Sequence, residues 1–395
     1  MRKTINYALT SCLVVCFSFE AESKPFTKYH NGLGETVDSI SGKKDFVGIG
    51  PVLYELPPEK TSEQLLEEKY DQKHAGSGIV AQLFEQRKLI ASLQQTGNAY
   101  PLPAEASVNF TDLERSFQRS LQSYLQIGNM EMVSNLQNRL GILYVENKSY
   151  EKAIPSFQQA LSNKEELKDF ISQSVICHNL GLLYHFMDNV ELSYVYYDRM
   201  NKLAKKANNV LGEVTSLEQL AILKARKGQY REAEQDMIKK VLPLYKRIKD
   251  ARGRIGAYNN LAAIYLAEEK YTESRWFHLQ AVKIASIGGN NSEGLSYSLY
   301  QLGKIKKILK EYTLAISDYT SAASYAKQSG DEWLSMHIYD DLGDIYIQTK
   351  DYVNASTYLE AYEKIKNKLV KANGEEKITE NLKVGPDLLF CDNLL

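Results

Sequence analysis

One leucine position constrains this chain of 395 residues more than anything else in it. It recurs at Leu140, Leu180, Leu220, Leu261, Leu302 and Leu342, stepping by 40, 40, 41, 41 and 40 residues. Ten residues after each stands Tyr150, Val190, Tyr230, Tyr271, Tyr312 or Tyr352, and three further on only alanine or serine is found: Ala153, Ser193, Ala233, Ser274, Ala315 and Ala355. A large residue usually follows four later, as in Phe157, Tyr197, Met237, Tyr319 and Leu359, while His278 departs from the pattern. Self-similarity at a fixed period of this size means a stack of like units, none of which buries its apolar face alone. The units read as helices. A glycine inside a helix costs about 1 kcal/mol relative to alanine, so Gly141, Gly181, Gly303 and Gly343, each next to its leucine, need a compensating reason. Close approach of a second helix, held near by the Ala/Ser position, supplies it.

The motifs Leu140-Gly141-Ile142-Leu143-Tyr144, Leu180-Gly181-Leu182-Leu183-Tyr184 and Leu342-Gly343-Asp344-Ile345-Tyr346, each followed by its Tyr/Val-x-x-Ala/Ser segment, closely resemble the tetratricopeptide repeat. In that family Leu-Gly-x-x-Tyr marks a first helix and Tyr-x-x-Ala-x-x-x-Phe an antiparallel second one. The spacing exceeds the usual 34 residues by about six, which is similar to the variant in kinesin light chains and Pins-type scaffolds. The resemblance implies an all-α fold, a right-handed α-solenoid of antiparallel helix pairs, with six repeats over residues 134–372.

The flanks read differently. Arg2 and Lys3, the apolar run Tyr7–Phe19 and Ala21-Glu22-Ser23 read as a cleavable signal peptide over 1–23, and hence an extracytoplasmic protein, secreted or periplasmic. Leu9-Thr10-Ser11-Cys12 resembles a lipobox, which makes a lipoprotein anchored at Cys12 the minor alternative. The apolar run is too short to span a bilayer, which takes about 20 residues, and no later segment comes closer. Residues 24–75, punctuated by Gly48-Ile49-Gly50-Pro51 and Leu56-Pro57-Pro58, read as a flexible tether. Residues 76–133 read as a degenerate first helix pair: Thr111-Asp112-Leu113-Glu114 is a capping box, and Ile79–Gln94 is its expected partner. Residues 373–395 read as a tail or cap ending in Leu388-Leu389-Phe390-Cys391.

Charge and motif content exclude most chemistry. Lys plus Arg number 48 against 49 Asp plus Glu, so no basic excess collects phosphates and nucleic acid is not an expected partner. No GxxxxGK[ST] loop, HExxH, GxSxG elbow or paired CxxC occurs, so no enzyme, cofactor or metal is expected. The best metal constellation, Cys177, His178 and His185, places its histidines two helical turns apart, roughly 10 Å, too far to share an ion without more ligands.

A protein, or an extended peptide, is therefore the expected partner. In tetratricopeptide proteins the concave groove is lined by the residues two before, one before, two after and five after the repeat leucine. By that resemblance Asn138, His178, Asn179, Gln219, Asn259 and Asn260 line it, followed by Gln301, Lys304, Lys307, Asp340 and Asp344. The position directly before the leucine is Arg, Asn, Gln, Asn, Gln and Asp in turn, a polar ladder able to donate to and accept from a peptide main chain. Lys304 and Lys307 are expected to face Asp340 and Asp344. The role implied is a non-enzymatic interaction scaffold; the alternative is a sensory or regulatory array, or an outer-membrane assembly lipoprotein, acting on a kinase, transporter or membrane complex.

Overall fold

The computed structural model describes residues 35–37, 44–46, 61, 64, 66, 77–96, 110–287 and 291–372. The leader with Cys12 and the tail at 373–395 lie outside them. The chain divides into two units, Met1–Lys60 and Thr61–Leu395. In the first, β1 (Glu35–Val37) and β2 (Lys44–Phe46) pair antiparallel with Thr36 opposite Asp45. The stretch expected to be a tether thus contains a short ladder, whose three-residue strands are too brief for alternation to show in the sequence.

The second unit begins with α1 (Ser77–Thr96) and α2 (Phe110–Ile127). The repeats follow. Their first helices are α3 (Met130–Glu146), α5 (Phe170–Phe186), α7 (Val210–Arg226), α9 (Ala251–Ala267), α11 (Ser292–Ile308) and α13 (Glu332–Gln348). Their second helices are α4 (Tyr150–Glu166), α6 (Val190–Lys206), α8 (residues 230–247), α10 (Tyr271–Ile287), α12 (Tyr312–Ser329) and α14 (Tyr352–Ala372). The array is an all-α solenoid of antiparallel helix pairs, as the repeat pattern implies.

The period is a property of helix ends. Two 17-residue helices and two three-residue turns make forty, as in α3 to α6. Every first helix is capped by an Asn or Asp whose side chain accepts the backbone N–H three residues on: Asn129, Asp169, Asn209, Asp250, Asn291 and Asp331. Every turn from first to second helix passes through a left-handed residue, Lys148, Asp188, Gly228, Glu269, Lys310 or Lys350, which stops the helix after its last full turn. The two 41-residue steps have separate causes. In α8 the segments Tyr230–Asp236 and Leu242–Arg247 are joined by a π-helical turn, Met237–Val241, which absorbs one extra residue without breaking the helix. Four residues rather than three separate α10 from α11.

Inside each pair, the glycine next to the leucine makes room for the large residue of the second helix. A Cβ built on Gly141, Gly181, Gly303 or Gly343 would lie 2.6 Å from Phe157, 2.8 Å from Tyr197, 2.7 Å from Tyr319 or 2.5 Å from Leu359. Where the partner is Met237 or His278, alanine suffices, at Ala221 and Ala262. The Ala/Ser position is buried against the same backbone: Ser193 Oγ donates to the Gly181 carbonyl at 2.9 Å and Ser274 Oγ to that of Ala262 at 2.7 Å.

The pairing expected between Ile79–Gln94 and the Thr111 helix is not how α1 packs. While α2 lies against α3, α1 rests on α3 and α5 at one end and reaches α13 and α14 at the other. Its apolar stripe fits several surfaces equally well on periodicity alone.

Candidate functional site

Consecutive first helices approach one another, α5 with α7, α7 with α9, α9 with α11 and α11 with α13, so they line the inner side of the curve. Both the expected ladder and α1 belong to that side.

The ladder exists, and its rungs hold one another. Asn179 is fully buried and its Nδ2 donates to Asn138 Oδ1 of the preceding repeat at 3.0 Å. Asn260 Nδ2 donates in the same way, 2.8 Å, to Glu218 Oε1. In both cases the residue before the leucine reaches the residue two before the previous leucine. Glu218 also accepts the Tyr245 hydroxyl at 2.6 Å; burial pushes its carboxyl above the usual range, against the two hydrogen bonds, which pull it down. Tyr245 reaches it because it lies just past the π turn and sits against Gly253, where a side chain would collide with its ring.

Asn259 turns into the array. It donates to Ser298 Oγ at 3.0 Å, and its Oδ1 lies 2.9 Å from His278 Nδ1, which therefore carries the proton. His278, the residue that broke the sequence pattern, fills the core position of its repeat, and burial holds its imidazole down at about 3. Gln301 is buried as well. Asn179, Asn259 and Gln301 are buried and thus do not stand open to a peptide. Gln219 and Asp340 remain partly exposed.

Near the fifth and sixth repeats the inner edge opens. A cavity of about 430 Å³ is lined by Lys304, Lys307, Ile308, Lys310, Tyr312, Asp341 and Gln348. Lys307 Nζ donates to Asp341 at 2.6 Å and Asp344 at 3.1 Å, so its acidic neighbours are 341 and 344 rather than 340 and 344. Burial opposes the Lys307 charge, but the two carboxylates outweigh it and hold its pKa up. Lys304 lies over the Tyr300 ring, 5.6 Å from its centroid.

The histidines expected near the groove are half-buried bases without a metal's geometry. Burial lowers His178 to about 4; burial, then Arg226 and Lys88, lower His185 to about 3. Cys177 is buried and its thiol is pushed up to about 12, the opposite of an activated nucleophile. Among the described residues no cluster of three or more His, Cys, Asp or Glu could hold a metal, and no helix is long and apolar enough to cross a membrane.

What sequence reasoning missed is where α1 packs. Leu83, Gln86, Leu89 and Leu93 form its buried stripe, with Leu93 fully enclosed among residues of the first two repeats. Leu83 clusters with Trp333, Met336, Tyr362 and Leu369 of the sixth. The spacing of three, three and four was visible; the surface it meets was not.

The tetratricopeptide repeat family profile matches residues 134–166 and 337–369, within the first and sixth pairs, whose Asn/Asp caps recur in all four pairs between them and whose glycine recurs in two, at Gly181 and Gly303. The chain carries tetratricopeptide repeats. Among solved structures, this tetratricopeptide-repeat chain is similar to a signal transduction ATPase with a tetratricopeptide repeat sensor from Pyrococcus horikoshii, at 21% identity and a TM-score of 0.47 over 67% of this chain. It spans 38% of that ATPase. It is similar also to aspartyl phosphate phosphatase F from Bacillus subtilis, 14% identical with a TM-score of 0.49, covering 84% of this chain and 98% of that one. A third similarity is to the repeats of a kinesin light chain from Podosopora anserina, 16% identical with a TM-score of 0.42, covering 49% and 94%. No curated protein sequence matches the chain.

Proposed function

We propose that this protein is a non-enzymatic scaffold that holds an extended segment of a partner protein along the inner side of its third to sixth repeats. The observation that carries this reading is the cleft at repeats five and six, where Lys304 and Lys310 present cations beside the apolar walls of Ile308 and Tyr312. Such a surface suits a segment with an acidic group next to an apolar side chain. Gln219 and Asp340 extend the polar lining on either side, and with Asn179, Asn259 and Gln301 engaged inside the array, specificity rests with the cleft. The test is affinity capture from the native compartment with the full chain and with Lys304→Glu/Lys310→Glu. A partner retained by the parent and lost by the folded variant supports the reading; identical captures overturn it.

We propose also that the chain acts outside the cytoplasm, through its Arg2-Lys3 start, apolar run and Ala21-Glu22-Ser23. The intact mass of the protein isolated from its host tests this. An N-terminus near Lys24 is expected; a species retaining residues 1–23 sinks it, and a lipidated Cys12 replaces it with the lipoprotein alternative.

A further inference from the structure

The helix Ser77–Thr96 belongs to no helix pair, yet it is bound. At one end Leu89 and Leu93 are buried among residues of repeats one and two, and Gln94 Nε2 donates to Glu146 Oε1 at 2.7 Å where α3 ends. Ten residues earlier, about 15 Å along a helix, Leu83 enters the cluster of Trp333 and Met336 in repeat six. There Phe84 stands edge-on to His337 with centroids 5.5 Å apart, and the Arg87 guanidinium lies 5.6 Å from the centre of the Trp333 ring. The opposite face, including Gln82, Lys88 and Ala91, is exposed.

We propose that the inner surface beneath this helix is a docking site for an amphipathic helix of a partner protein, and that α1 is the internal occupant such a helix displaces. Three observations carry this. The first concerns completeness: each repeat packs its first helix on its own second helix, so α1 completes none of the six pairs. Second, removing α1 would uncover Trp333 and Met336 together, an apolar patch of the kind a soluble protein keeps for a partner. Third, the occupant in place defines the chemistry. It is a helix whose buried stripe, Leu83, Gln86, Leu89 and Leu93, is apolar at three of its four positions, with Arg87 placed to cover the Trp333 indole, which is how a helix in a groove is read. The proposal deepens the scaffold reading by giving a second inner surface its own partner class, and it is testable without an outside partner.

A labelled synthetic peptide of residues 77–96 is the probe. The parent full chain, whose site is filled, should bind it weakly; Leu83→Glu/Leu93→Glu, which undocks α1, should bind it at least tenfold more tightly. The same peptide carrying both glutamates should bind neither. Hydrogen exchange over 77–96 should be slow in the parent and fast in the variant, with the repeats still protected. Equal binding to parent and variant, or none to a variant that keeps its helicity and cooperative melt, overturns the proposal. So does a parent that elutes as a dimer exchanging α1 between copies, since the occupant is then a second copy. If the variant does not fold, a protease site placed in residues 97–109 decides: after cleavage an excess of peptide should release the N-terminal fragment, and failure to release it overturns the proposal. A scaffold without the cleft partner would still give these results, so the two readings fail separately.

Discussion

Gly303 shows how a single position sets the spacing of two helices. Its absent side chain leaves Tyr319 fully buried with its ring where a Cβ would stand, 2.7 Å away. Gly303→Leu should therefore cost about 1 to 3 kcal/mol by overpacking, read as a lower midpoint in denaturant, whereas Gly256→Ala, which meets nothing within 4 Å, should be neutral or better. Equal midpoints for Gly303→Leu and the parent would show that Tyr319 has another place to go. His278 makes a residue-scale prediction of its own. Its folded imidazole is held near 3 by burial, against about 6.5 when unfolded, so below pH 6.5 the unfolded chain takes the proton first. Stability from this residue is complete above pH 6.5 and declines as pH falls toward 3, by about 1.4 kcal/mol per pH unit. Glu218 runs the other way: its raised pKa adds stability that is lost as pH rises through the folded value. His278→Gln isolates the histidine. Between pH 6.5 and 5 the parent should lose about 2 kcal/mol more than the variant, and parallel pH profiles would place the proton elsewhere.

At the scale of helices, much of the architecture was legible and the reasons are local. The leucine register, the glycines and the Ala/Ser positions are short-range consequences of two helices touching, so each repeat writes them again. The repeat caps were not read from the sequence, since Asn209 and Asp250 show their role only when the turns are seen beside them, and Thr111, expected to open its helix, lies inside Phe110–Ile127. Asn209→Ala should cost about 1 kcal/mol, because its side chain accepts the Gly212 N–H at 3.0 Å. Ser149→Ala at the start of α4, where no such cap bond exists, should cost less. Chemical denaturation of the two variants checks the difference. The candidate site was less legible. A polar side chain beside the repeat leucine is compatible both with an open rung and with a bond to the next repeat. Asn179 and Asn260 chose the latter because acceptors at Asn138 and Glu218 lie one repeat back. The choice depends on the angle between neighbouring repeats, which no single repeat encodes. The position of α1 was not legible for the same reason: an amphipathic stripe states that a helix is covered on one side and leaves open by what.

The whole array should unfold differently from a plain stack. In a solenoid whose repeats touch only their neighbours, stability is a sum of local terms and the ends fray first. Here α1 joins the first two repeats to the sixth, through Leu93 at one end and Leu83 at the other. Leu66, from the chain before α1, adds to this by packing on Ala355 and Leu359 of the final pair. A contact between units so far apart in sequence turns a linear chain of coupled units into a loop, in which neither end opens without breaking the bridge. Native-state hydrogen exchange should then give α3 and α13 protection close to that of α7 and α9 in the middle. Leu83→Ala, which truncates the bridge at one end but leaves the helix pairs whole, should lower protection in α13 and α14 most, and in α3 next, with little change in α7. The remote effect on α3 is the discriminating one, since it has no path through direct contact with Leu83. If α13 and α14 lose protection and α3 does not, the array is a linear stack with a helix resting on it, and the closing role of α1 falls.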